Sequence, residues 1–469
     1  MNLVIQRTIA DQTNHQGKIQ DNIRKDNGVF FTNEIEIIDS ILDIVPINND
    51  IFNKKILEPA VGNGIFFLRL IEKIYSRYPH KTKVKKFIEN CLYFIDIDPQ
   101  MIDRTKQNIS LLYNHFFNEK YDGKFNEYIY DFTNKVRTDG TLFNEIINDK
   151  LEPLLGSFDY VIGNPPYVTL YGRRDRKKDE RQRINYLNEY KQFPRTLKNG
   201  KINYVMLFLE HGLDFLKKRG ELSFIIDISF FETAYKYTRK YLLENTKIIE
   251  LENNIANFDG VASGQLIIKL EKNNSNDEHT VVIKDFATKK SQKINQSVWN
   301  NEKDEYKFRF NFSNGTQKIL EKITTNAKSL KSQYPKKALR TCAMLLDMED
   351  KFVSDNPKED RNCNSYLYYQ GSKAIYSKYC LPNTNKYFYY DKKLQDKIND
   401  ELKQILIKKG IKNKKRIGLG DYLVYDNPKV YVRQSSKEII ATYDENLSSA
   451  NNSLYVFSLK KNTPDAKEY

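Results

Sequence analysis

Short apolar runs and stretches of helical spacing alternate along roughly the first 270 residues. Phe158-Asp159-Tyr160-Val161-Ile162-Gly163 is an apolar run that reads as a buried parallel strand. Similar runs stand at 55–57, 91–97, 128–132 and 221–227, with late strands at 248–251 and 265–270. Between them Ile35, Ile38, Ile41, Leu42 and Val45 form a helical stripe, with Thr32 as a good N-cap before it. Helical spacing returns from Gln100 toward Ile109, over 202–216 and over 235–243. The alternation predicts an α/β fold with a mostly parallel sheet.

Asn164-Pro165-Pro166-Tyr167 follows the Phe158 run directly. Two prolines cannot continue a strand ladder, so the chain leaves the sheet there. A carboxamide, a stiff backbone and an aromatic ring thus stand at the carboxyl end of a strand, where open α/β sheets bind ligands. Such a set suits attack by a weak planar amine, whose lone pair is conjugated into its ring. The Asn164 side-chain oxygen and the Pro165 carbonyl, the latter fixed by Pro166, offer two N–H acceptors that free the lone pair. Tyr167 offers a ring for stacking. Read without function, the same residues make a rigid surface turn.

Lys55 through Leu68 reads as strand, glycine turn and helix, and Gly62 and Gly64 let the backbone approach a ligand closely. Asp96 ends the next strand, where an acid can take both ribose hydroxyls. Asp98 fits the cap of the helix that follows. Asp131 and Phe132 end a further run, which read alone is an ordinary strand end.

These stretches, in this order, resemble the motifs of the gamma-type, TaqI-like, DNA adenine-N6 methyltransferases of restriction-modification systems. Gly28-Val29-Phe30-Phe31-Thr32 resembles motif X, with Asn33 where the family has proline. Glu58-Pro59-Ala60-Val61-Gly62-Asn63-Gly64 resembles motif I, and Asp96-Ile97-Asp98-Pro99 motif II. Asp131-Phe132 resembles motif III, Asn164–Tyr167 motif IV, and Phe258 the aromatic of motif VIII. The resemblance implies a Rossmann-like domain with a mostly parallel seven-stranded sheet over residues 1–310. A smaller mixed α+β target-recognition domain is implied over 311–469. It implies S-adenosylmethionine as cofactor, held by Thr32, Glu58, Pro59, Ala60, Gly62, Gly64, Asp96, Asp131, Phe132 and Asn164. In this reading Asp96 takes the ribose, Asp131 the adenine amino group, and Phe132 lies against the adenine ring. Asn164, Pro165, Pro166, Tyr167 and Phe258 would carry catalysis on a flipped adenine of double-stranded DNA.

Charge sharpens that picture. Lys and Arg number 76 against 61 Asp and Glu, a net +15, which favours a polyanionic partner. Arg173, Arg174, Arg176, Lys177 and Lys178 open a basic run beside the Asn-Pro-Pro-Tyr strand end, and it reads as a phosphate-gripping loop. Read blandly, the run is a solvated face. The 32 tyrosines suit base stacking, and Tyr366, Tyr368, Tyr369, Tyr376, Tyr379, Tyr387, Tyr389 and Tyr390 crowd among lysines. An AT-rich gene produces the same excess of Lys, Asn and Tyr without function. Residues 286–305 are polar and read as a linker.

Four cysteines without Cys-x-x-Cys spacing and five scattered histidines give no expectation of a metal site. No run approaches the roughly 18 apolar residues of a membrane span, and a reduced cytoplasmic setting fits. A monomer with a cognate restriction endonuclease as partner is expected. Residues 1–27, a polar lead-in with helical potential, are too few for a fused nuclease, and the chain ends early for its type, as a truncated gene product would. Two rival readings are a protein glutamine-N5 methyltransferase and a catalytically idle DNA-binding subunit.

Overall fold

The computed structural model describes residues 3–18, 32–136, 150–170, 176–197, 201–255, 264–275, 278–309, 339–357, 365–380, 382–408, 416–436 and 438–458, with isolated positions between 319 and 327. The chain divides into two compact units, Met1–Leu320 and Glu321–Tyr469.

The first unit is built on one sheet. β1 (Ile56–Glu58), β2 (Leu92–Asp96), β3 (Asn126–Ile129), β4 (Phe158–Gly163) and β7 (Leu216–Asp227) are parallel neighbours in the order β3-β2-β1-β4-β7. A short ribbon, β5 (Thr169–Leu170) with β6 (Ile202–Asn203), lies apart from this sheet. β9 (Gln265–Glu271) runs antiparallel between β7 and β8 (Lys247–Ile255). These seven strands have the expected, mostly parallel arrangement. Two more extend the sheet to nine: β10 (Thr280–Asp285), parallel to β8, and β11 (Ser291–Asn295), antiparallel to β10.

Both faces of the sheet are covered, which is why its strands read as continuous apolar runs rather than alternating ones. Neighbouring residues go to opposite sides. Leu57, Val161, Phe224 and Ile226 pack with the helix Tyr204–Phe215. Ile56, Ile162, Ile225 and Ile267 pack with the helices Ile35–Leu42, Ile65–Arg77, Lys81–Cys91 and Pro99–Phe117. The lead-in is the helix Leu3–Lys18, and Ile5 is buried in that second layer. Asp98 caps Pro99–Phe117 as expected, accepting from Gln100 N at 2.9 Å.

Three expectations are corrected. Thr32 does not cap the following helix: Ile35–Leu42 starts after Glu34 with no side-chain cap. The hydroxyl is used elsewhere. Residues 286–305 are not a linker, since they contain β11 and the buried Trp299, which stacks on Phe308 with ring centroids 4.6 Å apart. An edge strand that buries only Ile294 looks polar in sequence. Half of the tyrosine cluster, Tyr366, Tyr368, Tyr369 and Tyr389, is core rather than surface.

That last correction concerns the second unit. It contains two four-stranded sheets. One pairs Leu339–Thr341, Leu454–Ser458, Lys429–Arg433 and Ala441–Asp444; the other pairs Val353–Ser354, Tyr387–Tyr389, Ser365–Tyr369 and Ser448–Ala450. Tyr366, Tyr368, Tyr369, Tyr425 and Tyr431 fill its core, their rings in edge and stacked contacts. The amphipathic tyrosine ring can serve as core when its hydroxyl finds a partner, as Tyr431 does at Ser448 O, 2.9 Å. Tyr376 and Tyr379 remain exposed.

Candidate active site

The carboxyl ends of β1, β2 and β4 carry Glu58, Asp96 and the Gly163-Asn164 step. Between β1 and the helix Ile65–Arg77 the chain turns through Gly62 (φ 55°) and Gly64 (φ 76°), a left-handed backbone natural to glycine. A Cβ on Gly64 would stand 2.8 Å from Thr105 Cγ2, so the position also demands the missing side chain. Thr105 Oγ1 donates to Gly62 O at 2.9 Å and Asn108 Nδ2 to Asn63 O at 3.0 Å, fixing the loop from the neighbouring helix. Pro59 is buried and Ala60 half-buried at the start of this turn.

Two carboxylates border the loop. Asp96 accepts from Gly62 N and from Asp98 N, both at 2.9 Å. Burial pushes its carboxyl above the usual range, against the pull of those N–H groups. Glu58 is buried, and burial first and Asp96 second hold its carboxyl well above the usual value. Its Oε2 has no hydrogen-bond partner among the described residues. An orphaned buried carboxyl oxygen beside a second acid and a glycine cradle is chemically matched by a ligand that brings cationic and hydroxyl donors.

At the end of β4 the Asn164 amide is held from both sides. Its Nδ2 donates to Thr32 Oγ1 at 3.3 Å, and its Oδ1 accepts from the Tyr167 hydroxyl at 2.7 Å. Residues 132 positions apart in sequence thereby meet at one site. Pro165 is buried and Pro166 half-buried. The Tyr167 ring is partly buried against both core layers, and burial raises its hydroxyl pKa well above the ordinary value. Only part of the ring is therefore offered to a stacking partner. Phe258, Arg173 and Arg174 lie outside the described residues. The basic run is helical from Arg176 onward, in the helix Arg176–Glu189, so the expected loop is corrected there. Its charged half hides an inner face further on, where Tyr186, Leu187 and Tyr190 are buried.

Asp131 follows β3, and its Oδ1 accepts from Thr133 N at 3.0 Å and from Thr133 Oγ1 at 2.7 Å. The Phe132 ring is packed inward. It is buried and stacks on His211 with centroids 4.3 Å apart, which leaves little of it for a second ring. His211 Nδ1 lies 2.9 Å from Phe132 O and its Nε2 accepts from Val136 N at 3.3 Å. A backbone N–H must donate, so Nε2 is unprotonated and Nδ1–H donates to Phe132 O. The apolar side chain that sequence reasoning passed over is Ile97, 65% exposed directly after Asp96. An isoleucine between two acids at a strand end is the signal for it.

Residues 90–259 match the model of the Eco57I restriction-modification methylase family. The chain is 26% identical over 231 residues to the Type II methyltransferase M.BstVI of Geobacillus stearothermophilus, covering 47% of this chain and 37% of that protein. It is 26% identical over 214 residues to the Type II methyltransferase M.PaeR7I of Pseudomonas aeruginosa, covering 44% and 33%. The matched region thus spans about a third of the length of these curated relatives. Among solved structures, the Type IIL restriction-modification enzyme MmeI in complex with DNA is similar at a TM-score of 0.59 and 12% identity. That likeness covers 96% of this chain and 65% of MmeI, and it speaks to the fold. The resemblance to the methyltransferases of restriction-modification systems is borne out by the Eco57I methylase match over residues 90–259.

Proposed function

We propose that the chain is a site-specific DNA methyltransferase acting on N6 of an adenine turned out of the duplex, as the modification enzyme of a restriction-modification system. One observation supports this most. The Asn164 amide, fixed between Thr32 and Tyr167, stands on the same sheet edge as the glycine loop and the Glu58–Asp96 pair. S-adenosylmethionine, when bound, supplies a methyl group on a sulfonium centre. The Gly62–Gly64 backbone and Glu58 would hold its methionine part, Asp96 its ribose hydroxyls and Asp131 its adenine amino group. Ile97 would lie against the adenine.

Asn164 Oδ1 has two lone pairs, so it can accept an N–H of the target amine beside the Tyr167 hydroxyl. The Pro165 carbonyl accepts the other N–H. Two acceptors draw the nitrogen out of conjugation and leave its lone pair for attack. Positioning and exclusion of water supply most of the rate. Tyr167 and Phe258 would border the base. Arg173, Arg174, Arg176, Lys177 and Lys178 would hold phosphates, and the second unit would read the target sequence. Double-stranded DNA is the substrate and a cognate endonuclease the expected partner.

Asn164→Ala tests the reading. It should keep cofactor and duplex affinity and lose methyl transfer by about 100-fold or more, because the amide oxygen acts mainly in the transition state. Undiminished transfer by this variant would remove Asn164 from the chemistry.

A further inference from the structure

The loop after β3 is tied to the helix Arg176–Glu189 by a chain of hydroxyls. Thr133 Oγ1 lies 2.7 Å from Asp131 Oδ1 and 2.8 Å from the Tyr186 hydroxyl. A carboxylate only accepts, so the single hydroxyl proton of Thr133 points to Asp131, and Tyr186 must donate to Thr133. Tyr190 donates to Thr133 O at 2.7 Å, and Tyr204 adjoins the Tyr186 hydroxyl. Thr133, Tyr186 and Tyr190 are all buried, whereas Asp131 is half-exposed. Water therefore cannot replace these bonds cheaply, and they act on the one member that faces solvent.

We propose that Thr133 and Tyr186 are positioning residues that fix the Asp131 carboxylate for one hydrogen-bond donor, the exocyclic amino group of the cofactor's adenine. The inference rests on the cofactor reading given above. Oδ1 is committed to Thr133, whose N–H and O–H both reach it, so the carboxylate cannot rotate and Oδ2 takes one direction. The His211 bond to Phe132 O pins the intervening backbone. The helix that supplies Tyr186 also begins in the basic run, so this hydroxyl chain joins the proposed phosphate contacts to the proposed adenine contact.

The test is calorimetric binding of S-adenosylhomocysteine and of S-inosylhomocysteine, which carries an oxygen in place of the amino group. The proteins are full-length wild type, Tyr186→Phe, Thr133→Val and Thr133→Ser, each checked by thermal melting. Wild type should prefer the amino ligand. Tyr186→Phe and Thr133→Val should weaken the amino ligand about 3–10-fold, the scale of a misdirected bond to a charged group. They should leave the inosyl ligand nearly unchanged, so the preference collapses, and Thr133→Ser should restore it. An equal loss for both ligands, or an unchanged preference in Tyr186→Phe, overturns the inference and leaves the cofactor site intact. A wild type that binds neither ligand overturns the cofactor reading, and the inference with it.

Discussion

Asp96 has one observed duty and one proposed, and the two separate cleanly. Its carboxylate already holds Gly62 N and Asp98 N, so it shapes the glycine loop before any ligand arrives. Its remaining lone pairs would serve the proposed ribose hydroxyls. Asp96→Ala should weaken S-adenosylhomocysteine binding by about 1–3 kcal/mol, the range for lost bonds to a charged group. It should also lower unfolding stability, since two backbone donors lose their partner. Calorimetry and urea unfolding read the two effects independently. Unchanged affinity with lowered stability would confine Asp96 to loop support.

Elements are held by buried groups whose protonation gives a handle on the fold. His211, on the helix Tyr204–Phe215, bonds backbone groups at Phe132 and Val136 in its neutral form. Burial first, and nearby Lys135 second, push its pKa down from 6.5 to about 4. The unfolded chain takes up this proton as pH falls through 6.5, while the folded chain does so only near 4. Stability is therefore complete above pH 6.5 and declines between 6.5 and 4, by up to about 3 kcal/mol from this group. Urea titrations at pH 7 and pH 5 should show the loss, and His211→Gln should flatten it. An equal slope in wild type and variant would assign the acid sensitivity to other groups. The glycine loop and the Asn164–Tyr167 turn are legible in sequence because their chemistry is local, with consecutive residues at a strand end. Thr133–Tyr186 and His211–Phe132 are not legible. Their partners stand 53 and 79 positions apart, and each residue alone is an ordinary polar or aromatic side chain. The helix Arg176–Glu189 escaped for a related reason, since its charged first turns look solvated until Tyr186 and Leu187 are seen inside.

At the scale of the molecule, each unit has hydrophobic clusters of its own. Among the described residues, the clusters of the first unit run to Phe308 and those of the second begin at Cys342. Each unit thus has a core of its own, the condition for folding separately. A fragment of residues 1–320 should unfold cooperatively and keep S-adenosylhomocysteine affinity. It should lose preference for any DNA sequence while keeping salt-dependent binding through its basic run. Sequence-selective binding by the fragment would move target recognition into the first unit. The tyrosines of the second unit illustrate what composition hides. Their number suggests base stacking, yet Tyr366, Tyr368 and Tyr369 are buried in the core, while Tyr376 and Tyr379 are exposed. In the proposed reaction the methyl group ends on adenine N6. The full-length protein incubated with tritium-labelled S-adenosylmethionine and duplex DNA, followed by nucleoside analysis, tests it most directly. Label is expected in N6-methyladenine. Label in N4-methylcytosine would contradict the choice of base, and label in protein glutamine with the DNA untouched would contradict the DNA substrate itself.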